Sequence, residues 1–463
     1  HYPLRRQRQM CIRDRDIREV GALKATSIFL GLKEVITMVG PSGLEERDVG
    51  IFIPRSGRKL PVLLVTSFVS KSLFFLLGIR TAWKGFSFPF SEAWRDYAYA
   101  YIPTVQAFVR GNMPYRDFYH AYPPLFLYTL TIFSILPYFW SMALPLVVSD
   151  ALTVIPVYLI GKRLSSERGA FLASLLFALA PINLFYVDCV WLNPSLTTLF
   201  LLVSVYLLLE ERYDMSAIIL AVSVGFKQTS LLALPVVLLF VAKKLSRKYA
   251  LRYFLIVASV CFAFSIPYLF VEPRLYLFSI FRVPIGAWGK LPENYFQLGF
   301  TNPPGAGAID TATLKWYQSK WMRYVPLNAP VNLSLPIFIF LLPEVAAGAY
   351  SIANTILRIL LFTAYSALLY KAHRKERIQD TVLIKYLLYS LLILFTFNHV
   401  YKYYAAGITP FLSLLVQRRR EAIVFEVFNL ALLAIPRALT SYLLLLLLVW
   451  LLRLHSPTVS PQR

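Results

Sequence analysis

SEAWRDYAYAYIPTVQAFVRGNMPYRDFYHAYPP, residues Ser91 to Pro124, is a polar island between long apolar runs. It gathers Glu92, Asp96, Asp117, His120 and three arginines beside a run of tyrosines, in a chain where only 15% of residues are charged. Lipid-facing segments cannot carry such residues cheaply, so a cluster of this kind next to apolar runs marks a site. Pro103, Gly111 with Pro114, and Pro123-Pro124 punctuate the island, which predicts a short helix from Pro103 to Arg110, a turn over Gly111–Pro114 and a descent into lipid after Pro124.

The surroundings of the island decide the class. A chain of 463 residues that is 58% hydrophobic has too little polar surface to cover soluble cores, so it reads as an integral, multi-pass membrane protein. Runs such as Tyr442–Leu452 do not alternate as barrel strands would, and the predicted fold is all-α. The net charge of +23 does not point to nucleic acid, because the basic residues sit in short clusters between apolar runs, where they orient helices. Cys11, Cys189 and Cys261 have no metal-site or disulfide spacing.

Residues 1–59 form a basic, irregular segment whose start, HYPLRRQRQMCIRDRD, resembles a translated sequencing-adaptor read-through; residues 60–463 form the transmembrane domain, with outer loops 79–142 and 271–349. The charge clusters Lys162-Arg163 with Arg168, Lys243-Lys244 with Arg247-Lys248, Arg374-Lys375 with Arg377, and Arg418–Arg420 are expected on one, cytosolic, side. They share it only if Leu125–Trp140 and Val331–Leu342 lie along or dip into the outer face without crossing. About 12 transmembrane helices then remain. The polar island, Asp188 with Asn193, Lys227 with Gln228, the long loop Val271–Pro330 and the Asn398–Tyr404 segment all fall on the extracytoplasmic side.

Lys227, in VGFKQTSLLALP, has about a dozen apolar residues on either side, which places its ammonium within membrane depth between two short helices. A charge there needs an anionic partner, either Asp150 or Asp188 in a buried ion pair or a ligand phosphate. Asp96 and Asp117 lie among aromatics where desolvation raises basicity, and Asp96 is the candidate base. His120 is a candidate to bind a metal, orient Asp117 or cap the Pro-Pro-Leu turn. His399 and Lys402 in FNHVYKYY serve either as interfacial anchors or as site residues. Arg274, Arg282, Lys290 and Arg323 of the long loop are further phosphate-binding candidates.

Taken in order, these fragments resemble the multispanning GT-C glycosyltransferases, with the nearest likeness to the mannosyltransferases that add the first mannose to GPI precursors and to their archaeal relatives. Asp96-Tyr97 stands where that family has a DxDY element. GNMPYRDFYHAYPPL is similar to its G-x-x-PY…Y-x-PL run, and SDALTVIPVYLI to the span that follows. WLNPS and VGFKQTSLLALP resemble its W-x-NP element and lysine-bearing segment, and FNHVYKYYAAGITPF its late closing stretch. The resemblance implies a donor sugar on polyprenyl or dolichyl phosphate, an acceptor on a glycan, lipid or protein, and an inverting transfer with Asp96 as catalytic base. It implies substrate contacts from Tyr97, Arg116, Asp117, His120, Asp188, Lys227, Gln228, His399 and Lys402. Trp94 replaces the first acid of the DxDY element, which leaves Asp96, Asp117 and Glu92 as candidate ligands for a divalent metal, Mg or Mn. The competing readings are a lipid or solute transporter or flippase, with Lys227 and Asp150 on its path, and a non-enzymatic membrane subunit; no second copy of the island supports a transporter's repeat.

Overall fold

The computed structural model describes residues 59–83, 96–281, 330–331, 343–375, 378–397, 400–416, 419–434 and 440–454. The basic N-terminal segment, Glu92, Trp94, Arg282, Lys290, Arg323 and His399 lie outside them, as does nearly all of Val331–Leu342. Among the described residues the regular elements are helices, apart from one two-residue antiparallel pairing and an isolated bridge between Pro114 and Phe118.

Helix α1 spans Lys59–Trp83, and a π-turn over Tyr97–Tyr101 runs into α2, Ile102–Val109. Pro103 lacks the amide that would bond back to Tyr99 and its ring crowds that carbonyl, which accounts for the widened turn before it. Then come α3, Pro124–Phe133; α4, Leu144–Leu152; α5, Val154–Leu164; and α6, Glu167–Ala178. A short turn, Pro181–Asn183, leads into a second π-segment, Leu184–Cys189. Helices α7, Ser195–Leu209; α8, Tyr213–Phe226; α9, Ala233–Lys244; and α10, Arg247–Val271, follow in antiparallel succession, then α11, Pro273–Phe281. The C-terminal part holds α12, Pro343–His373; α13, Asp380–Phe397; α14, Thr409–Leu414; α15, Arg419–Ala434; and α16, Thr440–Leu454.

Ion pairs identify one end of the bundle. Arg163 reaches both Glu210 (3.1 Å) and Asp380 (2.9 Å), Lys244 pairs with Glu211 at 3.1 Å, Lys59 lies 3.7 Å from Glu167, and Lys243 donates to the Lys375 carbonyl. Three of the four basic clusters therefore share a side, as their charge pattern predicts. These pairs are exposed or half-exposed and hold loops together more than they stabilise the fold.

Among the described residues four helical stretches are long and apolar enough to cross a membrane: Lys59–Ala82, Ser141–Leu164, Glu167–Cys189 and Arg247–Val271. Shorter apolar helices are Pro124–Phe133, Ser195–Leu209 and Tyr213–Phe226. At 1.5 Å per residue α1 and α10, with 25 residues each, reach about 38 Å, whereas α8, with 14, reaches about 21 Å. Helix α8 thus stops short of the roughly 30 Å hydrocarbon thickness, and Lys227 follows its last residue. The 3-10 turn Lys402–Gly407 with α14 descends from the same level, over about 20 Å, to Leu414 beside Gly161 at the basic end. These two partial stretches therefore leave a recess that the full-length helices overtop.

Helix α3, with 10 residues, reaches about 15 Å. Tyr122, just before it, meets Tyr101 and Tyr403, and Phe139, just after it, accepts a 2.7 Å bond from Tyr97. The chain before α3 and the segment six residues beyond its end thus both approach the first turn at Tyr97–Tyr101. A Cβ at Gly225 would collide with Leu125, so α3 rests on bare backbone of α8. The far end of the long loop returns to the same place, with β1, Pro330–Val331, paired to β2, Val400–Tyr401.

Candidate active site

The island folds as a chain of local devices. Helix α2 ends in a Schellman cap: Gly111, at φ 92°, donates to the Phe108 carbonyl and Asn112 to that of Ala107. Asp117 accepts from the Met113 N–H at 2.6 Å and takes a two-pronged contact from Arg116, both at 2.7 Å. The Arg116 guanidinium, followed by the Met113 amide, holds the Asp117 carboxyl below the usual carboxylate range against a smaller opposing effect of burial. Asp117 is thus engaged in closing its own loop. His120 is buried, stacked on Phe126 and flanked by Tyr115 and Tyr122, and burial pushes its imidazole down to about 3. It is neutral at physiological pH, and its Nε2 has no hydrogen-bond partner among the described residues.

Asp96 immediately precedes the π-turn at the recess and is 4% exposed. It lies within electrostatic range of Lys227 and of the phenols Tyr101, Tyr122 and Tyr403. The three phenols form a chain, Tyr101 to Tyr122 and Tyr122 to Tyr403, each link 3.4 Å. Tyr97 packs edge-on against Trp191 at 4.8 Å, which fixes the first turn beside the acid.

Lys227 sits in extended backbone between α8 and the 3-10 turn Gln228–Leu232. Its ammonium donates to the Asn193 carbonyl at 3.1 Å and lies 3.6 Å from the Tyr404 ring centre and 4.9 Å from that of Tyr403. Aromatic faces and a carbonyl partly compensate a buried cation without neutralising it. Beneath it Ser230 bonds Thr197 at 2.9 Å and Ser223 at 2.7 Å, small polar contacts that draw α7, α8 and the 3-10 turn before α9 close. Lys227, Thr198, Ser230 and Tyr404 line a cavity of about 20 Å³ facing Leu391 and Phe395 of α13. That is room for a water, not a sugar.

Asp150 and Asp188, the alternative partners for Lys227, are elsewhere. Both contact Lys71, in the middle of α1, with all three side chains at most 2% exposed; the Lys71 to Asp188 distance is 3.4 Å. Asp188, expected to bind substrate, is therefore part of an internal ion network. Lys71 is the residue that sequence reasoning passed over, although a lone lysine in VTSFVSKSLFFLL breaks the same rule that singled out Lys227. Gln228 donates to the carbonyls of Ala121 (3.3 Å) and Ile280 (3.0 Å), tying the Pro-Pro turn to α11. Arg116 and Arg274 are exposed. Lys402 opens its 3-10 turn, and its side chain lies outside the described residues.

Of the candidate metal ligands, Asp117 is engaged with Arg116 and Glu92 lies outside the described residues, among which no three His, Cys, Asp or Glu side chains converge.

Comparison with known families points to glycosyltransferases over part of the chain. The model of glycosyltransferase family 87 matches residues 119–309, a stretch that holds His120, Asn193, Lys227 and α10. The crystal structure of the Archaeoglobus fulgidus oligosaccharyltransferase, in complex with zinc and sulfate, is similar at 14% identity with a TM-score of 0.39 over 84% of this chain. The chain spans about half, 51%, of that protein's length. No curated protein matches the chain.

Proposed function

We propose that the protein transfers a hexose, mannose in the first instance, from a polyprenyl-phosphate or dolichyl-phosphate carrier to an acceptor hydroxyl of a glycan, lipid or protein, with inversion, at the extracytoplasmic face. One observation carries this reading: a buried acid, Asp96, and a buried amine, Lys227, lie within electrostatic range of each other at the end of the bundle away from the basic loops. Asp96 takes the proton of the acceptor hydroxyl as its oxygen bonds to the anomeric carbon. The bond from that carbon to the phosphate oxygen breaks, and its electron pair leaves with the phosphate. Lys227, already stripped of water and held by carbonyl and ring faces, stabilises that growing charge. The partial helices below Lys227 let a lipid-borne phosphate reach it from within the bilayer, and its binding parts α7 from α13, because the closed cavity holds only a water.

The test is to incubate purified full-length protein with a panel of polyprenyl-phosphate sugars and an acceptor extract and to measure free polyprenyl phosphate. Release with one sugar is the expected result. No release with any sugar overturns the reading, and movement of intact carrier across vesicles without cleavage marks the transporter instead. Single cysteines at Ser165 and Asn112 should be labelled from opposite sides of the membrane.

A further inference from the structure

The Lys71 network makes no contact with the recess, yet it is joined to both walls of the Lys227 cradle. On one side Lys71 holds Asp188, which lies in the π-segment Leu184–Cys189. That segment runs directly through Trp191, at φ 62°, to Asn193, whose carbonyl receives the Lys227 ammonium and whose N–H donates to the Tyr101 hydroxyl at 3.2 Å. On the other side Lys71 holds Asp150, which accepts from the Asn183 amide at 3.0 Å. Asn183 also donates to the Ala406 carbonyl at 3.3 Å and accepts from Thr409 at 2.7 Å. Ala406 belongs to the 3-10 turn that presents Tyr403 and Tyr404 to Lys227.

We propose that Lys71 is a positioning residue for Lys227: by gripping Asp188 and Asp150 at once, it fixes the carbonyl wall and the aromatic wall of the cradle relative to each other. The arrangement explains why an apolar bundle keeps a dry lysine and two dry carboxylates where well-packed hydrophobic side chains would serve stability equally well. It rests on the reading of Lys227 as the partner of the leaving phosphate. Asp188→Asn releases the carbonyl wall while leaving the Lys71–Asp150 pair intact, and Asp150→Asn does the converse.

The experiment uses the full-length protein in nanodiscs and follows two readouts. The first is the pH dependence of Lys227 acetylation by a pulse of acetic anhydride, read by mass spectrometry with exposed Lys162 as internal reference. In Asp188→Asn the Lys227 midpoint moves by about half a pH unit or more while Lys162 is unchanged. The second is transfer per folded molecule, where kcat falls about 10- to 100-fold with the donor KM changed less. Where Asp188→Asn does not fold, the charge-free variant Lys71→Met/Asp150→Asn/Asp188→Asn replaces it. Unchanged Lys227 labelling in these variants overturns the proposal, whatever happens to melting temperature. The labelling result holds even if the wild-type protein transfers no sugar, so the two readings fail separately.

Discussion

Two lysines are buried in apolar helices of this protein, and they are held in opposite ways. Lys71 touches two carboxylates, one of which is anchored further by Asn183, and nothing about it is left for a ligand. Lys227 touches one carbonyl and two aromatic faces, with Asp96 acting from a distance. The first arrangement closes its electrostatics internally; the second leaves a positive field without a contacting anion among the groups described around it. On the proposed reading the saturated cation builds structure, whereas the under-neutralised one meets an anion that comes and goes.

The strongest way to break the contrast is at Asp96. Asp96→Asn keeps shape and burial but removes the base, so transfer should fall by about 10³-fold or more with the melting temperature nearly unchanged. Activity within tenfold of wild type would remove Asp96 from the chemistry. The lysines should then separate cleanly. Lys227→Met should lower kcat by about 10²- to 10³-fold, the scale of losing one charge-stabilising donor, while stability holds or rises because a poorly compensated cation has gone. Lys71→Met should cost about 3 to 5 kcal/mol of stability by stranding Asp150 and Asp188. Thermal unfolding of both variants in the same lipid decides this; equal melting losses would erase the distinction.

Why one lysine was legible in the sequence and the other was not follows from the same physics. Lys227 sits between two half-length apolar runs, so its depth can be counted along the chain, and the structure has α8 end at Phe226. Lys71 lies inside a run that reads as an ordinary first span, and its two acids are 79 and 117 residues away. Which lysine Asp150 and Asp188 would neutralise depended on which helices are neighbours, and spacing does not carry that. The shared end of three basic clusters was readable, because short runs of lysine and arginine between apolar stretches orient helices one way. The phenol chain was not, since Tyr403 lies 281 residues from Tyr122. Asp117 shows the reverse: its bond to the Met113 amide and its adjacent arginine are local, so its structural duty was readable in GNMPYRD.

His120 sharpens the contrast from the neutral side, as a buried titratable group without counter-charge. Its value, about 3 in the folded state, lies below the ordinary 6.5, so between those limits the unfolded chain binds a proton that the folded one refuses. The stability it contributes is complete above pH 6.5 and is lost as pH falls toward 3, about 2 kcal/mol of it by pH 5. His120→Gln should flatten that part of the stability profile in chemical denaturation between pH 5 and 7. A slope that persists in the variant would mean another group carries it.

The smallest effect tests whether the two lysine regions are mechanically continuous. Helix α1 carries Lys71, and two turns further on Gly78 lets its backbone lie against the segment that leads to Asn193: a Cβ there would strike the Cys189 carbonyl and approach the Trp191 indole nitrogen at 3.1 Å. Gly78→Val inserts a branched side chain where backbone meets backbone, an overpacking cost of about 1 to 3 kcal/mol. Because the contact lies between Asp188 and Asn193 along the chain, the strain falls on the stretch joining the network to the Lys227 cradle. Transfer should therefore fall more than stability alone explains, with Gly78→Ala intermediate. If activity instead tracks the folded fraction in both variants, α1 supports the bundle without reaching the cradle, and the continuity between the two regions is lost.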